Sequence, residues 1–241
     1  MLTNSQDDGE CPTPVKSEPT AAAKRRNTEM PHLVPRAQVK AAKPLLIDVQ
    51  NAADFGVGDQ SRDDLFALSM LVHASAGLPG HIVTIGAGQG CAAAVLGHAA
   101  RAAGRSRVFA VDLFPDSDDT PDDVTWSLDA FLQTMTECGL LENVLPHHGT
   151  GASFARLMPN DFRARLLLLA SAHACADVAS DILALERFLT PGGWLCIDAS
   201  FSSFPGAAIA LETLLRQRNH FDLRRQITPT LFVARKRPTA S

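Results

Sequence analysis

From about residue 44 onward, two kinds of stretch alternate along the chain. Short apolar runs read as strands: Ile82 to Ile85, Arg107 to Val111, Asn143-Val144-Leu145, Arg165 to Ala170, Trp194 to Ile197, Phe221-Asp222-Leu223 and Thr230 to Ala234. Between them, apolar residues recur at helical spacing: Leu65, Leu68 and Val72; the strong helix formers from Cys91 to Ala103; Leu128, Phe131, Leu132 and Met135; Val178, Ile182, Leu185 and Leu189; Leu211, Leu214 and Leu215. The run Arg165-Leu166-Leu167-Leu168-Leu169-Ala170 has almost no polar alternation, as expected for a central parallel strand covered on both faces. Strands alternating with helices at this spacing predict a doubly wound α/β sheet of seven strands with helices on both faces.

Punctuation residues support these boundaries. Ser61 is placed as a helix N-cap, with Asp63 and Asp64 in the favoured first turn. Gly77-Leu78-Pro79-Gly80 predicts the turn into the first strand. Gly104 closes the Cys91–Ala103 helix, and Ser127 and Gly139 bracket the next one. Pro191-Gly192-Gly193 predicts the turn before Trp194, and Pro205 opens a helix at a position proline tolerates. Residues 1–43 contain Pro12, Pro14, Pro19, Pro31 and Pro35 among polar residues and predict a disordered tail, leaving 44–241 as the folded domain. Within the tail, Lys24-Arg25-Arg26 reads as a solvated run, with an anionic partner as the alternative.

Composition narrows the class. With 46% hydrophobic and 20% charged residues the chain has an ordinary globular balance. A net charge of −4 gives no reason to expect nucleic acid or an acidic membrane surface as partner. Five scattered cysteines without metal-ligand spacing predict a reduced, cytoplasmic setting. Met1 to Glu10 lacks the basic start and apolar core of a signal peptide, and no apolar run approaches the ~20 residues of a membrane span.

The chemistry concentrates after the first predicted strand, where Ile82-Val83-Thr84-Ile85 runs into Gly86-Ala87-Gly88-Gln89-Gly90. The second strand then ends at Asp112. Strand, three-glycine loop, helix, strand and carboxylate make the first half of a Rossmann-like nucleotide fold. The glycines are spaced Gly-x-Gly-x-Gly, whereas a dinucleotide fingerprint needs its third glycine one place later, where Cys91 stands. The loop therefore points to an adenosyl ligand other than NAD or FAD. The acidic stretch Pro115 to Asp123 lies at a strand end, where long loops cover sites. Its acids have no fixed ligand spacing, so it reads as a solvated loop rather than a metal trap.

From about Ser61 to Lys236 the chain resembles the class I S-adenosylmethionine-dependent methyltransferases. Within them it is most similar to small-molecule and sugar O-methyltransferases of the macrocin and cephalosporin-biosynthesis type. The ordered landmarks are Gly86-x-Gly88-x-Gly90, Val111-Asp112, Phe131 through Cys138-Gly139-Leu140, Asn143-Val144 to Gly149-Thr150, His173 with Val178 and Asp181, Pro191-Gly192-Gly193 with Ile197-Asp198, and Pro205-Gly206. The resemblance implies a mostly parallel sheet with an antiparallel last strand and S-adenosylmethionine as cofactor. It also implies a cradle in which Gly86, Gly88 and Gly90 let the backbone approach the methionine moiety. The following helix N-terminus would meet the cofactor carboxylate. Asp112 would accept from the ribose hydroxyls, and Gly149 and Thr150 would lie near the adenine edge. The alternative readings are a cap or solvated acid for Asp112 and ordinary turn residues for Gly149 and Thr150.

Three departures from the family pattern bear on chemistry. Thr84 replaces the acid usual two places before the first glycine; it can orient the loop by hydrogen bonding but carries no charge. Ala170-Ser171-Ala172-His173 stands where the family often has Asp-Gly-x-His, and Asp198 is followed by Ala199 rather than a second oxygen ligand. A hard cation needs several oxygen donors, so no metal is expected. What remains for catalysis is His173 as general base towards an acceptor hydroxyl, with Asp198 orienting it or the acceptor. The alternative for His173 is a cap on the helix beginning near Cys175. His147 and His148 are expected to follow the third strand and face solvent.

The resulting expectation is metal-independent O-methylation of a small-molecule or glycan acceptor. A methyltransferase-fold partner or cofactor-sensing subunit without chemistry is the alternative that Thr84, Ala170 and Ala199 motivate. An NAD-dependent oxidoreductase fits Asp112 but not Cys91, nor the lack of any tyrosine for a Tyr-x-x-x-Lys pair. An exposed edge strand near Thr230 to Ala234 would permit homo-oligomers.

Overall fold

The computed structural model describes residues 60–104, 106–114, 127–170, 175–198 and 215–238, all within the unit Leu33–Ser241. The tail, the Pro115 to Asp123 loop, His173, Ala199 and the start of the Pro205 helix lie outside the described residues.

Seven strands form one sheet: β1 (His81–Ile85), β2 (Val108–Asp112), β3 (Val144–His148), β4 (Ala164–Leu169), β5 (Leu189–Asp198), β6 (Phe221–Gln226) and β7 (Leu231–Lys236). Their order is β3-β2-β1-β4-β5-β7-β6. The first five strands are parallel. β7 runs antiparallel to β5, and β6 pairs antiparallel to β7. Chain order runs outward from β1 to β3 in one direction and from β4 to β5 in the other, where β7 then inserts before β6. The gap between these two strands is the topological switch point, where doubly wound sheets bind ligands outside the strands' carboxyl ends.

Both faces are covered, and each strand therefore contributes to two cores. Ile82, Val108, Val144, Leu166, Leu168, Trp194, Cys196 and Val233 point to one side, packed under α1 (Arg62–Ala74), α2 (Cys91–Ala102) and α3 (Leu128–Glu137). Val83, Ile85, Val111, Leu167, Leu169, Leu195 and Ile197 point to the other side, with α4 (Gly151–Leu157) and α5 (Cys175–Leu185). The alternation explains why β4 is buried at every position. α2 comes close to the sheet because it is built from alanines. Its Gly97 has no room for a side chain, since a Cβ there would lie 2.7 Å from Val144 Cγ2.

Caps fix the helix starts as the sequence predicts. Ser61 accepts from the Asp64 amide, and the Asp64 carboxylate accepts from the Ser61 amide in return, a reciprocal capping box. Ser127 caps α3 through the Ala130 amide. Phe131 and Met135 are fully buried, but Leu128, expected inward, is 38% exposed on the first turn.

Three strand expectations are corrected. Pro191-Gly192-Gly193 lies inside β5 rather than before it: Ala164 pairs with Leu189, and Leu166 with Trp194, so the chain bulges here on both strands. His147 and His148 belong to β3, because the strand runs on past Leu145 alongside β2. The segment expected as an exposed edge, Thr230 to Ala234, falls largely in β7, which is covered on both sides by β5 and β6. The edge strands are β6 on this side and β3 on the other.

Candidate functional site

The carboxyl ends of β1, β2, β3 and β5 bring together Gly86, Gly88, Gly90, Asp112, Gly149, Thr150 and Asp198. β1 ends at Ile85, and the chain turns at once through three glycines of positive φ: 83° at Gly86, 52° at Gly88 and 98° at Gly90. Only glycine adopts such angles in succession without strain. The Gly86 amide donates to Val111 O at 2.9 Å, which anchors the loop to β2.

Two of these glycines serve different ends. At Gly88 an added Cβ would meet nothing within 4 Å, so this position borders open space. At Gly90 a Cβ would lie 2.8 Å from Met135 Cε and 3.1 Å from Phe131 Cδ2. The third glycine thus also lies against α3, where its φ of 98° and its closeness to Phe131 and Met135 leave little room for a side chain.

Asp112 connects the loop to the second strand. Its Oδ2 accepts from the Gly88 amide at 2.8 Å and its Oδ1 from the Phe114 amide at 3.2 Å. Each carboxylate oxygen keeps a further lone pair for a ligand hydroxyl. Phe114 has φ +39°, the one positive-φ residue other than glycine among the described residues, and its ring is buried against Phe131 at 5.2 Å between centroids. A bulky residue in the left-handed region is strained. Here the buried ring and the bond to Asp112 hold it. No side chain caps the N-terminus of α2 at Gly90, so its backbone dipole faces the loop.

On the β3 side, the Gly149 amide donates to the Asp112 carbonyl at 2.8 Å. Thr150 is the N-cap of α4, with a capping box to Ser153. Its hydroxyl accepts from the Ser153 amide at 3.1 Å. A Cβ on Gly151 would collide with Asp181 Oδ1, so the landmark Asp181 sits against the first turn of α4. His148 pairs in register with Asp112 and is exposed as expected. His147 is half-buried instead, its ring edge-on to Phe154 at 5.3 Å. Burial first, and the neighbouring His148 second, lower its pKa.

On the β5 side, Asp198 ends the strand and is 9% exposed. Leu169 pairs with Ile197, so the next residues, Ala170 and Asp198, are neighbours at the strand ends. The Ala170 amide donates to Ile85 O at 2.8 Å. Thr84 does not play the loop-orienting role its chemistry allows: it is fully buried under the loop, and its hydroxyl has no hydrogen-bond partner. Cys91, in the position that excludes a dinucleotide fingerprint, is buried, and its thiol pKa is raised by that burial first and by Cys138 second. It is a packing residue rather than a nucleophile.

Sequence reasoning missed two features. The strained Phe114 carries no local signature beyond following Asp112. The other is Asp64, expected only as a first-turn acid; it is fully buried and reaches residues 164 and 166 positions away. Long-range hydrogen bonds of this kind leave no periodic trace. Among the described residues, no group of three or more His, Cys, Asp or Glu could hold a metal ion, and no helix is long and apolar enough to cross a membrane.

Comparison with known proteins agrees with this geometry. A family model described as a methyltransferase domain matches residues 83–200. No curated protein matches the chain. Among solved structures, the O-methyltransferase NovP superposes with a TM-score of 0.62 at 17% identity, over 74% of this chain and 81% of that one. The O-methyltransferase TomG from Streptomyces achromogenes, involved in tomaymycin synthesis and solved with SAM, gives 0.58 at 14% identity, over 86% and 91%. An rRNA methylase from Streptococcus thermophilus gives 0.50 at 14%, over 71% and 94%. At these identities the structural likeness establishes the fold.

Proposed function

We propose that this chain, whose residues 83–200 match a methyltransferase domain, carries out S-adenosylmethionine-dependent, metal-independent O-methylation of a small-molecule or sugar hydroxyl. The observation that carries this reading is the joint placement of Gly88, open to a ligand, and Asp112, whose carboxylate already holds the Gly88 amide.

The residues present fit S-adenosylmethionine. Gly88 leaves the space a side chain would fill. Asp112 offers lone pairs to paired ribose hydroxyls, and the uncapped N-terminus of α2 offers positive dipole to a carboxylate. Leu113, 55% exposed beside Asp112, offers apolar surface to a purine, with Gly149 and Thr150 at its edge. When bound, the cofactor supplies a methyl group on a good sulfonium leaving group. The protein's own task is alignment and removal of the acceptor proton. Asp198 stands at the end of β5, across from Ala170. In this reading His173, four residues beyond the end of β4, takes the hydroxyl proton on an imidazole nitrogen, and Asp198 orients that ring or the acceptor.

A small-molecule acceptor is supported by the likeness to TomG, an O-methyltransferase involved in tomaymycin synthesis. The rRNA methylase neighbour shares the fold alone. A specific observation favours a second reading. Ala170, an apolar residue packed against the core, occupies the position of the family's acid, so the domain would bind the cofactor as a partner subunit without chemistry. The test is methyl transfer from labelled S-adenosylmethionine to a panel of phenols, sugars and hydroxylated antibiotics, in EDTA, with wild type and His173→Ala. Turnover that His173→Ala abolishes, with cofactor binding retained, supports the first reading. Binding without turnover across the panel supports the second, and unchanged turnover in His173→Ala removes the proposed base.

A further inference from the structure

We propose that Asp64 is a positioning residue for Asp198, acting through the turn between β6 and β7. This rests on the reading above, in which Asp198 serves the acceptor side of the site.

The Asp64 carboxylate is fully buried at the N-terminus of α1, yet it accepts four hydrogen bonds. Its Oδ2 accepts from the Ser61 amide at 3.0 Å, the Ser61 hydroxyl at 2.7 Å and the Thr230 hydroxyl at 2.6 Å. Its Oδ1 accepts from the Thr228 hydroxyl. Two of these bonds are local and complete a helix cap. The other two cross the fold, which a capping residue does not need.

The turn they reach is tightly organised. Thr228 Oγ1, while donating to Asp64, accepts from the Leu231 amide at 2.8 Å and the Thr230 amide at 3.3 Å. The Leu231 carbonyl accepts from the Ile227 amide at 2.9 Å. Both backbone groups of Leu231 therefore face the turn. Leu231 is also the residue paired with Asp198, in the terminal rung of the β5–β7 ladder. Because its N–H and C=O point the other way, this rung is of the kind without mutual hydrogen bonds, in which opposed side chains approach most closely.

A chain of contacts thus runs from Asp64 through the Thr228 hydroxyl to the Leu231 amide, and from Leu231 across the rung to Asp198. The Asp64 carboxyl oxygen polarises the Thr228 hydroxyl, which strengthens its grip on the amide. Asp64 so fixes where β7 begins, and with it the side wall against which Asp198 is set.

The test needs no acceptor. Thr228→Val removes the relay hydroxyl, and Thr228→Ser restores it. The readouts are amide exchange at Leu231, the carboxyl ¹³C resonance of Asp198 through a pH titration, and S-adenosylmethionine affinity by calorimetry. The expected result for Thr228→Val is exchange at Leu231 faster by about tenfold or more, with a displaced Asp198 carboxyl resonance. Thr228→Ser returns both to wild type, and cofactor affinity stays within about twofold throughout, because Asp112 is untouched. An Asp198 resonance in Thr228→Val that superimposes on wild type overturns the proposal. If Thr228→Val does not fold, Asp64→Asn, which keeps the side chain's shape but removes the charge that holds the Thr228 hydroxyl, is read by the same criteria. Failure of methyl transfer in any assay would remove the catalytic reading of Asp198 and leave these measurements standing.

Discussion

The amide of Gly88 donates to Asp112 Oδ2 across 2.8 Å, joining the middle of the glycine loop to the end of the second strand. One carboxylate therefore holds the loop in shape and keeps a further lone pair on each oxygen. The loop is shaped by the chain's own hydrogen bond, and such preorganisation lowers the ordering that binding must bring about.

The glycines separate stability from binding. Gly90→Ala forces a Cβ to 2.8 Å from Met135 Cε at φ +98°, and should destabilise the fold by about 2–3 kcal/mol. Gly88→Ala meets no atom and carries mainly the cost of a left-handed alanine, about 1 kcal/mol. Its main effect should be on cofactor affinity. Thermal unfolding and calorimetry on both variants check the contrast; equal losses of stability would contradict it.

Arg165 is a second place where burial makes a definite prediction. It lies at the β4 bulge, 1% exposed, with one bond of 3.4 Å to Val72 O at the end of α1 and with Nε and Nη2 lacking partners. Burial lowers its pKa. A buried cation without a carboxylate contributes little net stability. Arg165→Met should therefore leave unfolding free energy unchanged or raise it by about 1 kcal/mol. A loss well beyond about 1.5 kcal/mol in denaturant unfolding would show that the helix-end bond matters more.

Stability should also fall in mild acid. His73, His81 and His147 have pKa values lowered in the fold, in each case first by burial. The remaining causes are Arg165 for His73, Arg107 and Arg165 for His81, and His148 for His147. The unfolded chain then binds protons more readily, so stability is full above the ordinary imidazole value of about 6.5 and is lost as pH falls from there through the lowered values. Melting temperatures between pH 8 and pH 5 should be level above neutrality and decline below about 6.5. Replacing His73 and His147 by glutamine should make the decline shallower; an unchanged slope would contradict the assignment.

Much of the fold was legible because it is written in local patterns. The Leu166–Leu169 run, the alanines of α2 and the caps Ser61 and Ser127 each obey a short-range rule that burial then enforces. The glycine loop and Asp112 were legible for the same reason, lying within one strand-helix-strand unit. Strand adjacency at the far edge was not. β7 inserts between β5 and β6, an order that sequence proximity does not disclose, so the segment expected at the edge is interior. Gly90 and Thr84 show the same limit within the site. A glycine packed against Met135 looks identical in sequence to one that borders open space, and a threonine able to orient the loop is instead buried without a partner.

In the proposed function, Gly88 and Asp112 form an S-adenosylmethionine site. Its most direct test is calorimetric titration of wild type and Asp112→Asn with S-adenosylmethionine, with NAD in parallel. Asparagine keeps the side chain's shape but replaces one acceptor oxygen with a donor. The account predicts saturable binding of one S-adenosylmethionine per chain, no comparable binding of NAD, and affinity about 10–100-fold weaker in Asp112→Asn, from losing a hydrogen bond to a charged group. No saturable binding of S-adenosylmethionine, or equal affinity in Asp112→Asn, would contradict it.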